Sequence, residues 1–197
     1  MVSAQFLGIG EKDGAVSLSS IVPVGDDLDD VNIQLLSSGG KTTTTYFWNT
    51  YMYETPRWVD DAMTEVEGVK FAPGQGLWVG GSADTQALQT CGQVGLADIA
   101  VRLKNGATAT GNPFPVAVGL DEIYPTGDDL DDVNIQLLSA GGKTTTTYFW
   151  NTYMYETPRW VDDAMTEVEG VKFAPGQGLW VGGSADTQYL NIPAPEL

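Results

Sequence analysis

Residues 25–86 read GDDLDDVNIQLLSSGGKTTTTYFWNTYMYETPRWVDDAMTEVEGVKFAPGQGLWVGGSADTQ, and residues 127–188 repeat this text with one change, Ser38 against Ala140. The offset between the two copies is 127 − 25 = 102 residues. A fixed internal period indicates a tandem array. Because a unit of about 100 residues can bury a core of its own, the repeat predicts two homologous domains, 1–95 and 96–197, and not a solenoid of short repeats.

Each unit has the pattern of short β-strands. Val31, Ile33 and Leu35 alternate with polar residues, which is typical of a half-buried strand. A strand is predicted at 41–49, because residues 42–45 are β-branched and residues 46–48 are aromatic, as strands favour. The Ser-Ser-Gly-Gly turn at 37–40 suits a hairpin. Further strands are predicted at 50–57, 69–71, 76–79 and 88–94, while the spacing of apolar residues leaves a helical turn at 58–63 open. The fold class predicted is all-β, with two tandem β-sandwich or barrel-like domains.

The two units differ at their beginnings. In the second unit, a strand at 99–103 is followed by Asn105-Gly106, a hairpin signal, and by a further apolar segment at 114–118. The first unit has no matching strand. Val2–Ile9 is the simplest candidate to fill that place. The alternatives are that segment 95–110 is shared between the units, or that the first unit keeps an open edge to which a neighbouring molecule adds a strand.

Charge and composition disfavour several functions. The formal net charge is −17, which disfavours binding to nucleic acids and to anionic membranes. The chain has no histidine, so it lacks the commonest general base, the usual catalytic triads and the usual transition-metal ligands. Its single cysteine, Cys91, cannot form an internal disulfide, and we expect it to be a small buried residue of a strand.

We also expect no membrane insertion, because no apolar run reaches the roughly 18 residues that a spanning helix needs. Residues 1–5 lack the basic start and the apolar stretch of a signal peptide. If the protein is exported, we expect its presequence to have been removed before Met1.

The acidic loops that open the repeated block are candidate calcium sites. Carboxylate oxygens are the ligands that Ca²⁺ prefers, and a divalent ion would relieve the repulsion between adjacent carboxylates. The spacing does not follow the EF-hand pattern, so a solvated acidic loop is the alternative. The candidate calcium ligands are Asp26, Asp27, Asp29, Asp30, Asp128, Asp129, Asp131 and Asp132.

Two further sets of residues suggest carbohydrate chemistry. Acidic residues are numerous enough to supply a glycosidase pair, but nothing in the sequence sets the distance between two of them, so we expect no catalytic residues and no enzyme. Sugar-binding modules stack rings on exposed aromatic side chains, and duplication would raise avidity. The alternative for these rings is core packing. The candidate ligand-binding residues are Tyr46, Trp48, Trp58, Tyr148, Trp150 and Trp160.

The segments WNTYMYE (48–54) and FAPGQGLWVGG (71–81) resemble repeats in uncharacterised secreted bacterial proteins. There, tandem β-rich modules of similar length carry a tryptophan near a PGQGLWV strand. The resemblance implies an exported, repetitive protein of the cell surface or extracellular space, and it brings no catalytic residues. We therefore expect a non-enzymatic structural or adhesive protein, a self-associating building block of a filament, surface layer or adhesin. The alternative is a bivalent carbohydrate-binding module.

Overall fold

A computed structural model describes residues 15–37, 41–82, 85–90, 97–139 and 143–195, together with the backbone of residues 2–3. The prediction of an all-β chain is confirmed. The helical segments of this part of the chain are single 3₁₀ turns, at Leu18–Ser20, Leu28–Asp30, Leu120–Glu122 and Leu130–Asp132. None of the helices in the described ranges has the length and apolar character needed to traverse a lipid bilayer.

The strands of the first repeat are short, and its longest is the Thr-rich aromatic strand. They are β1 (Val2–Ser3), β2 (Val16–Ser17), β3 (Ile21–Val24), β4 (Asn32–Leu36), β5 (Thr42–Asn49), β6 (Arg57–Val59), β7 (Lys70–Phe71), β8 (Gly76–Gly80) and β9 (Ala87–Thr90).

The second repeat reproduces this series and adds one strand at its start. Its strands are β10 (Ile99–Arg102), β11 (Gly106–Gly111), β12 (Val118–Gly119), β13 (Tyr124–Thr126), β14 (Asn134–Leu138), β15 (Thr144–Asn151), β16 (Arg159–Val161), β17 (Lys172–Phe173), β18 (Gly178–Gly183) and β19 (Tyr189–Ile192).

Each repeat is built on a five-stranded antiparallel sheet. The strand order is β1-β8-β4-β5-β6 in the first repeat and β11-β18-β14-β15-β16 in the second. The register is the same in both, since Asn32 pairs with Phe47 as Asn134 pairs with Phe149. Smaller sheets accompany the large one: β2-β7 and β3-β9 in the first repeat, and β12-β17 and β10-β19-β13 in the second.

Two separate hydrophobic cores follow from this arrangement. In the first repeat, Ile33 and Leu77 point inward from the large sheet and meet Val16 and Phe71 from the small sheet β2-β7. The equivalent core of the second repeat also contains Leu190. Because alternate residues of a strand face opposite sides, burying Ile33 places its neighbours Asn32 and Gln34 on the other face of the sheet.

Several local predictions are corrected by the structure. Residues 58–63 contain no helical turn, because Trp58 belongs to β6 and pairs with Trp48 across the sheet. Residues 50–55 form bends and not a strand, with the Asn49 side chain accepting the backbone N–H of Met52 at 2.8 Å. Cys91 and most of the turn at 37–40 lie outside the described residues.

The beginning of the second repeat also differs from its prediction. Asn105-Gly106 is not a hairpin turn, since β10 pairs with β19 whereas β11 pairs with β18 in another sheet. Residues 114–116 form bends. In the first repeat, Val2 pairs with Leu77 as Thr110 pairs with Leu179. Strand β1 therefore takes the place of β11 and not that of β10, which has no counterpart in the described part of the first repeat.

The two repeats contact each other through equivalent elements. Strand β8 lies against β18, and β1 against β11, while the reciprocal contacts β8 with β11 and β1 with β18 are also made. Contacts that pair the same surface on both partners define an isologous interface. The contacts therefore have the pattern of an approximate two-fold axis between the repeats.

Close backbone packing and a buried hydrogen bond hold this interface together. The Thr110 hydroxyl, which is fully buried, donates to the carbonyl oxygen of Gly74 at 2.6 Å. A Cβ at Gly76 would lie only 2.5 Å from the carbonyl carbon of Ala109. Glycine is therefore required at this position for the two backbones to approach as they do.

Candidate functional site

A cleft of about 390 Å³ lies between the two repeats, within the range of about 300–1,000 Å³ usual for small-molecule sites. Its lining comes equally from both halves of the molecule. The first repeat contributes Gln34, Leu36, Thr42 and Trp78. The second contributes the residues 102 positions later, namely Gln136, Leu138, Thr144 and Trp180.

The cleft side chains occupy the sheet face opposite the core. Gln34 and Leu36 alternate with the buried Ile33 along β4, and Trp78 follows the buried Leu77 on β8. Gln34 lies directly opposite Trp78 in the register of β4 and β8. Each indole ring therefore stands beside an amide group, half-buried, on a rigid sheet.

A chain of hydrogen bonds fixes the orientation of each glutamine. The Thr42 hydroxyl donates to Oε1 of Gln34 at 2.8 Å, and Nε2 of Gln34 donates to Oδ1 of Asn32 at 2.9 Å. The second repeat repeats the pattern, with Thr144 and Gln136 at 3.2 Å. Side chains held by their neighbours in this way are preorganised, so a ligand need not order them on binding.

Among the described residues, the lining of the cleft carries no formal charge. It consists of glutamine, leucine, threonine and tryptophan from each repeat, although the whole chain has a net charge of −17. Fixed polar groups beside apolar surface are what a site for an uncharged organic ligand usually presents.

The predicted ligand-binding aromatics lie elsewhere. Tyr46, Trp48 and Trp58 are 8%, 8% and 2% exposed, and their copies Tyr148 and Trp160 are 8% and 2% exposed. Trp150 packs against the core of the second repeat, with its ring centroid 5.2 Å from that of Trp160. Rings held inside a core cannot stack on a sugar, so we place these residues in the core and not in a binding site.

The predicted calcium loops are tied together by hydrogen bonds within the protein. Nε2 of Gln86 donates to the carbonyl oxygens of Asp26 and Asp27, at 3.0 and 2.7 Å. The Thr50 hydroxyl donates to the carboxylate of Asp29. Gln188 makes the same pair of bonds to Asp128 and Asp129. These loops are therefore ordered as turns by a buried or half-buried amide, which the sequence analysis did not foresee.

Acidic side chains do not converge in the described ranges, where no group of three or more potential metal ligands is found. Asp131 accepts the hydroxyl of Thr152, and Asp30 and Asp132 close the 3₁₀ turns Leu28–Asp30 and Leu130–Asp132. The carboxylate of Asp60 accepts the backbone N–H of Thr64 at 2.8 Å. Calcium binding stays a prediction.

A second surface feature is a set of exposed apolar side chains that occurs once in each repeat, and we call each set a tip patch. The set consists of Tyr51, Met52 and Met63 in the first repeat, 69%, 52% and 41% exposed, and of Tyr153, Met154 and Met165 in the second. Neighbouring contacts order the first set, since Tyr53 donates its hydroxyl to the Met63 carbonyl at 3.1 Å and stacks on Arg57.

The cleft residues were not among the predicted site residues. Trp78 and Gln34 each alternate with a buried neighbour, so the sequence does contain the signal that they face away from the core. The sequence does not show that residues of both repeats line the same cleft, because they come together only when the two folded repeats pack against each other.

Comparison with family models, with curated proteins and with solved structures gives no match. The resemblance to secreted bacterial repeat proteins therefore stays a prediction, and function is inferred from the chemistry of the site itself.

Proposed function

We propose that this chain is a non-enzymatic binding protein of the extracellular space or cell surface, which holds a carbohydrate in the cleft between its repeats. The observation that carries the proposal is the pairing of Trp78 and Trp180, each beside an oriented glutamine, across one cleft. Compared with the bivalent module suggested by the duplication, this proposal uses other aromatic residues and places the site between the repeats.

The chemistry of the lining suits a sugar. A pyranose ring has an apolar face of C–H groups, which packs on an indole, and a rim of hydroxyl groups, which need hydrogen-bonding partners. Gln34 and Thr42 supply such partners beside Trp78. Because side-chain amides, hydroxyls and indoles do not act as general acids or bases near neutral pH, the lining supports binding and not transformation.

The test is a glycan microarray probed with the full chain, followed by isothermal titration calorimetry on the hits. We expect Trp78→Ala and Trp180→Ala to weaken binding by about 30-fold each, as for a central tryptophan worth about 2 kcal/mol. Tyr51→Ala and Tyr153→Ala are matched controls, because these rings are exposed but lie outside the cleft.

Wild-type affinity in the tyrosine variants together with loss in the tryptophan variants supports the proposal. Absence of any glycan hit, or tryptophan variants that bind as well as the wild type, would refute it.

A second candidate function is favoured by the tip patch. Exposed apolar patches on a soluble protein commonly mark interaction sites, and this one is present twice in each chain. We propose as an alternative that the chain is a structural building block of an extracellular filament, surface layer or adhesin, which self-associates through the tip patches. The inter-repeat interface cannot serve this purpose, because an isologous contact between two units is closed.

Self-association is measured by light scattering and electron microscopy over a range of protein concentrations, with and without calcium. We expect assemblies that the double variant Met52→Ser, Met154→Ser disperses. A chain that stays monomeric under all these conditions would rule out the alternative.

A further inference from the structure

We propose that the cleft selects an uncharged glycan and that a single glycan segment crosses the pseudo-two-fold axis, contacting both repeats equally. This inference rests on the proposed carbohydrate-binding function and adds the charge of the ligand, its stoichiometry and the residues that select it. Three observations carry it: the neutral lining, the duplicated geometry and the oriented glutamines.

The neutral lining decides the charge of the ligand. An anionic glycan would enter against a net charge of −17 and would meet no lysine or arginine among the lining residues that the structure describes. A cationic glycan would be attracted over a distance by the same charge. Inside the cleft, however, its ammonium groups would lose water without gaining a carboxylate partner. A neutral glycan has neither disadvantage.

The duplicated geometry decides the stoichiometry. Trp78 and Trp180 line the same cavity from opposite repeats, so one ligand touches both indoles and a second ligand has no place of its own. Because the surroundings of the two rings are equivalent, each repeat should contribute the same share of the affinity. The duplication of the sequence therefore builds one symmetric site and does not provide two.

The oriented glutamines decide which groups the ligand must offer. In the first repeat, Oε1 of Gln34 accepts the Thr42 hydroxyl, and one hydrogen of Nε2 is used by Asn32. What remains for a ligand is the second Nε2 hydrogen, which is a donor, and the second lone pair of Oε1 with the lone pairs of the Thr42 oxygen, which are acceptors. A sugar hydroxyl is both donor and acceptor, so it satisfies both groups. Gln34 and Gln136 are thus the specificity-determining residues of the site.

The experiment is a calorimetric titration of the full chain with a matched series of oligosaccharides of equal length. The neutral probes are a glucose oligomer and an N-acetylglucosamine oligomer, the anionic probe is an oligouronate, and the cationic probe is a glucosamine oligomer. We expect one neutral oligomer bound per chain. We expect both charged probes to bind at least about tenfold more weakly, the effect of one uncompensated desolvated group.

Variants test the equal contributions of the repeats. Gln34→Glu is nearly isosteric and keeps the acceptor for Thr42 but loses the amide donor, and Gln136→Glu is its counterpart. We expect each to weaken binding of a neutral oligomer by about tenfold and by the same factor within about twofold. Trp78→Ala and Trp180→Ala should likewise lose equal factors. Thermal unfolding of each variant checks that the fold is intact.

The outcomes separate this inference from the proposed function. If no oligosaccharide binds to the wild-type chain, both are refuted. If an oligosaccharide binds with two copies per chain, with unequal losses in the paired variants, or with no preference for neutral probes, the carbohydrate-binding function stands and only the inference is overturned.

Discussion

The hydrogen bond from the Trp58 indole to the backbone provides a sharp test of how each core is held together. Trp58 is 2% exposed, and its Nε1 donates to the carbonyl oxygen of Ile21 at 2.7 Å. This bond joins the large sheet to the small sheet β3-β9. Trp58→Phe keeps an aromatic ring but removes the donor to the buried carbonyl of Ile21. Leaving that carbonyl unsatisfied lowers the unfolding free energy by about 1–3 kcal/mol, and the smaller ring adds a further loss from reduced packing.

Trp48 supplies the matched control. Its ring meets that of Trp58 edge to face, with centroids 5.3 Å apart, and it is 8% exposed. Its Nε1 is buried and has no protein partner in the part of the chain that the structure describes. Trp48→Phe removes the same atoms in the same core without breaking a hydrogen bond to the protein. The difference between the two variants therefore isolates the bond to Ile21.

The measurement is urea unfolding followed by far-ultraviolet circular dichroism, which reports mainly on the backbone. We expect Trp58→Phe to be less stable than Trp48→Phe by about 1–3 kcal/mol. Trp160→Phe should match Trp58→Phe, because Trp160 makes the same 2.7 Å bond to the carbonyl of Ile123. Equal losses for Trp58→Phe and Trp48→Phe would show that the bond contributes nothing and would refute the reasoning.

Two further predictions concern the interface and the turns. Thr110→Val keeps the shape of the side chain but leaves the buried Gly74 carbonyl without its donor, so we expect a loss of about 1–3 kcal/mol in urea unfolding. The exposed Thr44→Val should stay within about 0.5 kcal/mol of the wild type. Gly25→Ala places a Cβ 2.3 Å from the carbonyl oxygen of Thr85, at a φ of +121°. We expect the unfolding free energy to fall by about 1–3 kcal/mol. An unchanged melting temperature in calorimetry would contradict this.

Local sequence pattern was sufficient for the central strands. The alternation around Ile33 predicts β4, the β-branched and aromatic run predicts β5, and the Gly-Leu-Trp-Val segment predicts β8; all three lie where expected, with ends shifted by a residue or two. Such strands can be read from sequence because each has one face in the core, and a period of two records that difference.

Local pattern failed where the deciding contact is distant in sequence. Val59 and Met63 have helical spacing, yet Trp58 pairs with Trp48 and bonds to Ile21, so residues 57–59 become a strand. Asn105-Gly106 has hairpin composition, yet the strands before and after it pair with β19 and β18, which are at least 178 − 111 = 67 residues away. In both cases non-local pairing outweighs a local preference.

The sequence by itself determined the duplication, the all-β class, the acidic surface and the alternation that points Trp78 away from its own core. Only the tertiary structure decided which tryptophans are buried and which line the cleft. Alternation separates the two faces of a strand without saying what covers either face. In each repeat, the small sheets cover one face of the large sheet and the neighbouring repeat covers the opposite face. The docking of the repeats about a two-fold axis depends on two folded surfaces, so neither copy of the repeated sequence encodes it alone.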